Sequence, residues 1–201
     1  AAVLAVSAGT EIDDGTIYNE WGSANIDDEG NKLRKNVLIE NGILKNYMID
    51  MFNGRRMKMD STGSARRQSY RFAPTSRMTN TYIANGPYTP EEIITNTKYG
   101  IFAKKMGGGS VNPATGEFNF SVAEGFLIED GKLTKRVKGA TLIGNGKDTL
   151  LNVDMVANNQ SFGYGMCGSQ SGSIPACVGQ PTIRVKNMTV GGNGGNKWWI
   201  F

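Results

Sequence analysis

The sequence contains no histidine. For this chain alone, that excludes a Ser-His-Asp triad, a Cys-His pair, a zinc finger and any His-ligated metal centre. A general base drawn from it would be Asp, Glu or Lys. Cysteine is nearly as scarce: Cys167 and Cys177 are the two in 201 residues, too few for a disulfide scaffold. A bond between them would close a short loop, worth about 3 kcal/mol if the geometry allowed it. No apolar run approaches the ~20 residues that cross a bilayer. The opening Ala1-Ala2-Val3-Leu4-Ala5-Val6-Ser7-Ala8 is too short to span and has no basic residue before it, so it reads as a buried strand and not a signal peptide. With no initiator Met, the chain reads as the inside of a longer protein. Charge of one sign is also weak. A net charge of +4 permits nucleic-acid binding without demanding it.

What the chain has is glycine, 27 residues against 6 prolines. They are spread along the chain and form no repeat, which points to many tight turns between short strands. Two hairpins are plain. Val37-Leu38-Ile39-Glu40 meets Asn41-Gly42 and then Ile43-Leu44-Lys45-Asn46-Tyr47-Met48. Phe126-Leu127-Ile128-Glu129 meets Asp130-Gly131 and then Lys132-Leu133. Asn-Gly and Asp-Gly supply the two positive φ angles of a type I′ turn. One helix is marked by Thr89 as N-cap, Pro90 at its first position and Glu92 completing a capping box, with Gly100 as the stop. A second is expected over residues 148–156. Further strands are expected over 16–18, 79–83, 117–122, 140–143 and 182–185. No linker interrupts residues 1–190, read as one domain. Residues 191–201 read as a Gly-rich flexible tail ending in the apolar Trp198-Trp199-Ile200-Phe201. The expected fold is mainly β (α+β): a hairpin-rich, barrel-like or layered antiparallel sheet with about two helices.

Several constellations invite chemistry. Residues 54–77 hold Arg55, Arg56, Lys58, Arg66, Arg67, Arg71 and Arg77 against Asp60, with Tyr70 and Phe72 interleaved. That pattern suits a nucleic-acid surface, a solvated loop whose arginines pair with carboxylates elsewhere, or a grip on a peptide or partner subunit. Asp13-Asp14-Gly15 and Asp27-Asp28-Glu29-Gly30 lack the alternating carboxylates of a calcium loop and read as turns. Gly144-Asn145-Gly146-Lys147 fails the phosphate-loop spacing and reads as a turn. Gly107-Gly108-Gly109 lets another backbone approach closely, as in a strand that pairs with an extended peptide. Cys167, in Gly163-Tyr164-Gly165-Met166-Cys167-Gly168-Ser169, has flanking glycines that leave its sulfur accessible. Cys177, between Ala176 and Val178, reads as a small core residue.

The chain resembles the C-terminal portion of TldD-type subunits in the TldD/PmbA (TldE) peptidase family. The matching stretches include Asp13-Asp14-Gly15-Thr16, Ala24-Asn25-Ile26-Asp27-Asp28-Glu29-Gly30 and Asn36-Val37-Leu38-Ile39-Glu40-Asn41-Gly42. They continue through Arg66-Arg67-Gln68-Ser69-Tyr70, Arg77-Met78-Thr79-Asn80-Thr81-Tyr82 and Gly107-Gly108-Gly109. They end with Val137-Lys138-Gly139-Ala140-Thr141-Leu142-Ile143-Gly144, Cys167-Gly168 and Val178-Gly179-Gln180-Pro181-Thr182. Each is modest alone; the ordered set is specific.

The resemblance implies a zinc metallopeptidase acting on unfolded or extended peptides. An HExxxH helix would supply two histidine ligands and a glutamate base, and a C-terminal cysteine would complete the site; Cys167 falls on that cysteine. HExxxH is absent here, since the family places it upstream. The implied partners are therefore a histidine-bearing N-terminal part, a TldE/PmbA-type subunit or a second copy, and a peptide substrate. Gly107, Gly108, Gly109, Arg66, Arg67 and Tyr70 are the expected substrate-binding residues. No membrane and no nucleic acid is expected as a partner, and the expected compartment is the cytoplasm. Two alternatives stay open: a non-catalytic peptide- or partner-binding β module, and a nucleic-acid-associated regulator of the gyrase-modulator kind.

Overall fold

The computed structural model describes residues 9–112 and 114–192. The strand expected at Ala1-Ala8 and the apolar Trp198-Phe201 end lie outside the described residues. In chain order the elements begin with β1 (Glu11–Asp14), β2 (Lys35–Glu40), β3 (Ile43–Leu44), α1 (Met51–Met57), β4 (Ala65–Arg66), β5 (Thr75–Ser76) and β6 (Asn80–Ile83). They continue with α2 (Pro90–Thr95), β7 (Tyr99–Val111), β8 (Glu117–Glu129), β9 (Lys132–Val137), β10 (Thr141–Asn145), α3 (Gly146–Leu151) and β11 (Val153–Val156). The last are β12 (Ser161–Ser169), β13 (Gly172–Gln180), β14 (Ile183–Val185) and β15 (Thr189–Gly191). The fold is mainly β, in antiparallel sheets with no closed barrel among the described residues. No described helix is long and apolar enough to cross a membrane.

Contacts divide the chain into two compact units. The Cys167 unit comprises Gly9–Asn85 and Gln160–Pro181. Its six-stranded sheet runs β12-β13-β6-β1-β2-β3, antiparallel except where β13 lies parallel to β6. Ile12, Leu33, Ile39, Ile49, Ala65, Ile174, Ala176 and Cys177 are its buried apolar side chains. The β2–β3 turn has Asn41 at φ 48° and Gly42 at φ 81°, as the Asn-Gly pair requires.

The long-hairpin unit holds residues 86–159 and 182–192 of the described chain. Its sheet runs β15-β10-β8-β7, with β9 also paired to β8. The β8–β9 turn uses Asp130 at φ 48° and Gly131 at φ 75°. Ile93, Met155 and Ala157 form a buried apolar cluster. The capping box of α2 is formed in both directions: the Glu92 amide donates to Thr89 Oγ1 at 3.2 Å, and the Thr89 amide donates to Glu92 Oε2 at 2.7 Å.

Several expectations need correction. Asp13 and Asp14 end β1, and Gly144 and Asn145 end β10 with Gly146 opening α3, where turns were expected. The helix expected from Thr89, α2, stops at Thr95, before Gly100. The Asn96 and Thr97 side chains donate to the Glu92 and Ile93 carbonyls, closing the helix early, and Gly100 is a buried residue of β7. The second helix covers Gly146–Leu151 only; Val153–Val156 is strand. That apolar run suited either periodicity, and pairing with β14 decided for the strand. Residues 16–18 are turn, not strand, because Asp14 Oδ1 accepts from both the amide and the hydroxyl of Thr16, at 2.9 and 2.6 Å.

Thr89→Ala removes the cap acceptor and should lower stability by about 1 kcal/mol in urea unfolding. An unchanged midpoint would show that the box contributes nothing.

Candidate functional site at the Cys167 hairpin

Every buried polar or charged side chain recorded among the described residues lies in the Cys167 unit. They include Asp13, Asp14, Asp27, Asp50, Thr62, Ser64, Arg77, Thr79, Asn80 and Ser171. A polar interior is costly unless every group finds a partner. Among them, Arg77 and Ser171 bond at the β12–β13 hairpin, while Asp13 and Asn80 tie β1 to β6.

Cys167 is half-buried and unbonded to Cys177. It lies on β12, the outermost strand of its sheet, opposite Ile174 of β13. Strand residues alternate faces. Through the pairings Gly163↔Val178, Val178↔Thr81 and Thr81↔Asp13, the Cys167 face is also the face of Thr81 and Asp13. Cys177 pairs with Tyr164 and Asn80 and so points to the other face, where no bond between the two cysteines can form. Cys177 is 0% exposed and its thiol donates to Glu20 Oε2 at 3.3 Å. Burial pushes that thiol up. It is the core cysteine the sequence suggested.

The Arg-rich segment holds this hairpin. Gln68 brackets its turn: the Gln68 amide donates to the Ser171 carbonyl at 2.8 Å, and Gln68 Oε1 accepts from the Ser173 amide at 2.8 Å. Thr75 donates its hydroxyl to Ser171 Oγ at 2.8 Å. Arg66 Nη1 donates to the carbonyls of Pro175, at 2.8 Å, and Met78, at 2.9 Å. Arg77 is 3% exposed. Its Nη1 donates to Ser171 Oγ at 2.6 Å and to the Gly172 carbonyl at 2.9 Å, and its Nη2 donates to the Cys167 carbonyl.

Asp13, 1% exposed, accepts from the Thr79 amide at 2.7 Å, the Thr79 hydroxyl at 2.9 Å and the Thr81 hydroxyl at 2.8 Å. Burial raises its carboxyl above the usual range against those donors and the Arg66 charge. Burial lowers the Arg66 guanidinium, opposed by the Asp13 and Asp28 carboxylates; Arg77 adds to the lowering and Cys167 opposes it.

The remaining sequence candidates fall as follows. Arg67 lies 3.7 Å from Asp28, and its amide donates to the same carboxylate at 2.8 Å. Tyr70 is 81% exposed, with the Arg71 guanidinium 5.7 Å from its ring centroid. Gly107, Gly108 and Gly109 lie in β7 of the long-hairpin unit, at an irregular stretch of the β7–β8 ladder. A Cβ at Gly107 would meet Ser121 Oγ at 2.3 Å, and one at Gly109 would meet the Asn119 carbonyl at 2.1 Å. Gly109 thus makes room for the backbone of β8 and Gly107 for the Ser121 side chain; a Cβ at Gly108 would meet nothing within 4 Å. The Asp27 carboxylate collects the amides of Glu29, Asn31 and Ala65, which makes it a turn residue as expected. Sequence reasoning missed Asp13, Gln68, Ser171 and the role of Arg77. The one signal available was Thr79-Asn80-Thr81, whose alternate hydroxyls face a single carboxylate.

Among the described residues, no three His, Cys, Asp or Glu side chains gather into a metal-binding group. Asp13 and Asp14 are engaged by threonine donors. Cys167 is therefore not part of any three-ligand group among the described residues.

This mainly β chain with an accessible thiol at a sheet edge belongs to a metallopeptidase family: residues 5–192 match the PmbA/TldA metallopeptidase C-terminal domain. It is 48% identical over 185 residues to a Haemophilus influenzae protein named metalloprotease TldD homolog, covering 91% of this chain and 38% of that one. It is 32% identical over 166 residues to a Saccharolobus solfataricus protein named zinc metalloprotease TldD homolog, covering 83% and 37%. Among solved structures, TldE from Thermococcus kodakarensis superposes with a TM-score of 0.77 at 26% identity, covering 95% of this chain and 41% of that one. The chain thus spans about two-fifths of the length of these relatives.

Asp50 anchors the segment before Arg77. Its carboxylate accepts from the Asn53 amide and side chain, each at 2.7 Å, and from the Ser76 amide at 2.8 Å and hydroxyl at 2.6 Å. Burial opposes its ionisation, yet these donors outweigh burial and hold its carboxyl below the usual 3.8. The folded pKa lies under the unfolded one, so the contribution is complete above the unfolded value of 3.8 and is lost as pH falls from there through the lower folded pKa. Urea unfolding should show a steeper loss of stability below about pH 4 for the parent than for Asp50→Asn. Equal acid losses in the two would refute the assignment.

Proposed function

We propose that this chain is the cysteine-bearing part of a TldD-type zinc metallopeptidase that hydrolyses peptide bonds in unfolded or extended peptides. The observation that carries the reading is the placement of Cys167: half-buried, on an edge strand, with its own carbonyl bound by a buried guanidinium. A soft thiolate held at a fixed place suits zinc. Cys177 is withdrawn into the core and offers no such ligand. When bound, zinc polarises the scissile carbonyl and activates water. The histidine ligands and the glutamate base come from an HExxxH helix upstream in the same polypeptide. A TldE/PmbA-type subunit or a second copy completes the assembly, which works in the cytoplasm.

Substrate enters as an extended strand. Among the described residues, β7 has no strand on its outer edge, and a main-chain ladder there would bind peptides with little sequence preference. Gly107–Gly109 lie on that edge. Arg66 and Arg67 act indirectly, through the hairpin and loop they hold, while exposed Tyr70 is available to a peptide or partner. The second reading is a strand-pairing module without chemistry, favoured by the same edge at Gly107–Gly109, which no described strand other than β8 pairs; metal content separates the two.

In the complete polypeptide, Cys167→Ser should abolish zinc retention and peptidase activity, whereas Cys177→Ser should keep both. Metal analysis of each variant beside a peptide-cleavage assay decides. Zinc retained by Cys167→Ser would overturn the ligand assignment. The isolated 201-residue chain should carry well under one equivalent of zinc, and a stoichiometric tight site on it would show that the ligand set is wrong.

A further inference from the structure

We propose that Arg77 is the positioning residue for Cys167, its guanidinium fork locking the edge strand that presents the thiol. The inference deepens the reading of Cys167 as a metal ligand and rests on it.

Beyond its ladder to β13, the recorded ring contacts of that strand, Phe162 with Tyr82 and Tyr164 with Trp21, lie before Cys167. β12 is paired on one side only among the described residues. A Cβ at Gly165 or Gly168 would meet nothing within 4 Å, and one at Gly163 would touch only the Val178 carbonyl at 3.8 Å. Side-chain packing is thus missing on both sides of Cys167, and a glycine-rich edge strand opens readily. Arg77 supplies the missing restraint from beneath. Nη2 takes the Cys167 carbonyl while Nη1 takes Ser171 and Gly172, so a single planar group ties the ligand strand to the turn that ends it. A lysine ammonium, as a point donor on a flexible stem, lacks that rigid fork.

The energetics point the same way. The Arg77 acceptors are two carbonyls and a hydroxyl, and its Nε has no partner among the described residues. A buried charge without a carboxylate and with an orphaned donor is an expensive way to staple a turn. Gln68 staples the same turn with neutral groups, at Ser171 and Ser173, and does not touch Cys167. What Arg77 adds is the hold on the Cys167 carbonyl.

The test compares Arg77→Met, Arg77→Lys and Gln68→Ala in the complete polypeptide, with Tm recorded for each. Two quantities are read: zinc retention against a chelator, and the reaction rate of Cys167 with a disulfide reagent after metal removal, in a Cys177→Ser background. Arg77→Met should weaken zinc retention about 10–100-fold and change the thiol rate severalfold. Arg77→Lys should fall between it and the parent, and Gln68→Ala should leave both readings close to the parent even where its Tm falls. If Arg77→Met does not fold, the lysine variant carries the comparison. Effects that track Tm alike in the Arg77 and Gln68 variants, or no effect of Arg77 on either reading, would overturn the proposal. Should Cys167→Ser keep its zinc, the ligand reading fails, and the thiol rate alone then decides whether Arg77 positions Cys167.

Discussion

The Arg77 guanidinium is 3% exposed, with neutral oxygens as its only recorded hydrogen-bond acceptors. A guanidinium in that state is tolerable only if its donors are met by fixed acceptors, because each loose contact would leave a desolvated N–H. The acceptors must therefore hold still. Ser171 is kept in place by Thr75 and by the Gln68 amide, and Gly172 adopts a φ of 88° at the turn. The residue before Arg77 is tied through Asp50 to the start of α1. Part of the polar interior of the Cys167 unit serves this constraint. Arg77, Ser171, Thr75 and Gln68 are restraints meeting at the hairpin that carries the edge strand.

What could be read from the sequence was local. The two hairpins and the capping box each depend on a few neighbouring residues whose conformational limits are intrinsic: Asn41-Gly42, Asp130-Gly131 and Thr89 with Glu92. The misread elements were settled by distant partners. Val153–Val156 became a strand because β14, about 30 residues later, pairs with it. The turn at Thr16 was foreseeable from Asp14, since an aspartate two residues before a threonine commonly captures its amide. The β propensity of threonine hid that signal.

The site was legible in one residue and hidden in the rest. Cys167 stood out for its glycine neighbours and for its place in the ordered family stretches. Arg66 and Arg77 stood out only as positive charge, which invites carboxylate, nucleic acid or peptide as partner. Their recorded acceptors are neutral oxygens of the same chain, most of them about 90 to 110 positions away. No composition or spacing rule announces an arginine that binds main-chain oxygen, because every residue carries that acceptor. Asp13 was hidden for a similar reason. In sequence it looks like half of a turn, and only the pairing of β1 with β6 brings Thr79 and Thr81 to its carboxylate.

The lack of histidine and the polar interior bear on each other. On the reading proposed above, Cys167 is one ligand of a shared metal centre, and the metal cannot by itself order this chain, since metal binding energy becomes folding energy only where a site's ligands are gathered. Cys167 would then have to be placed before the other ligands arrive. Zinc accepts ligands within a few tenths of an ångström of their preferred distance, and a mobile cysteine would lose entropy at the moment of binding. A cysteine flanked by glycines on an edge strand starts poorly on that count. On the proposed reading, the fixed acceptors around Arg77 correct it from within the chain, its guanidinium bound to the Cys167 carbonyl with no ion pair recorded for it among the described residues.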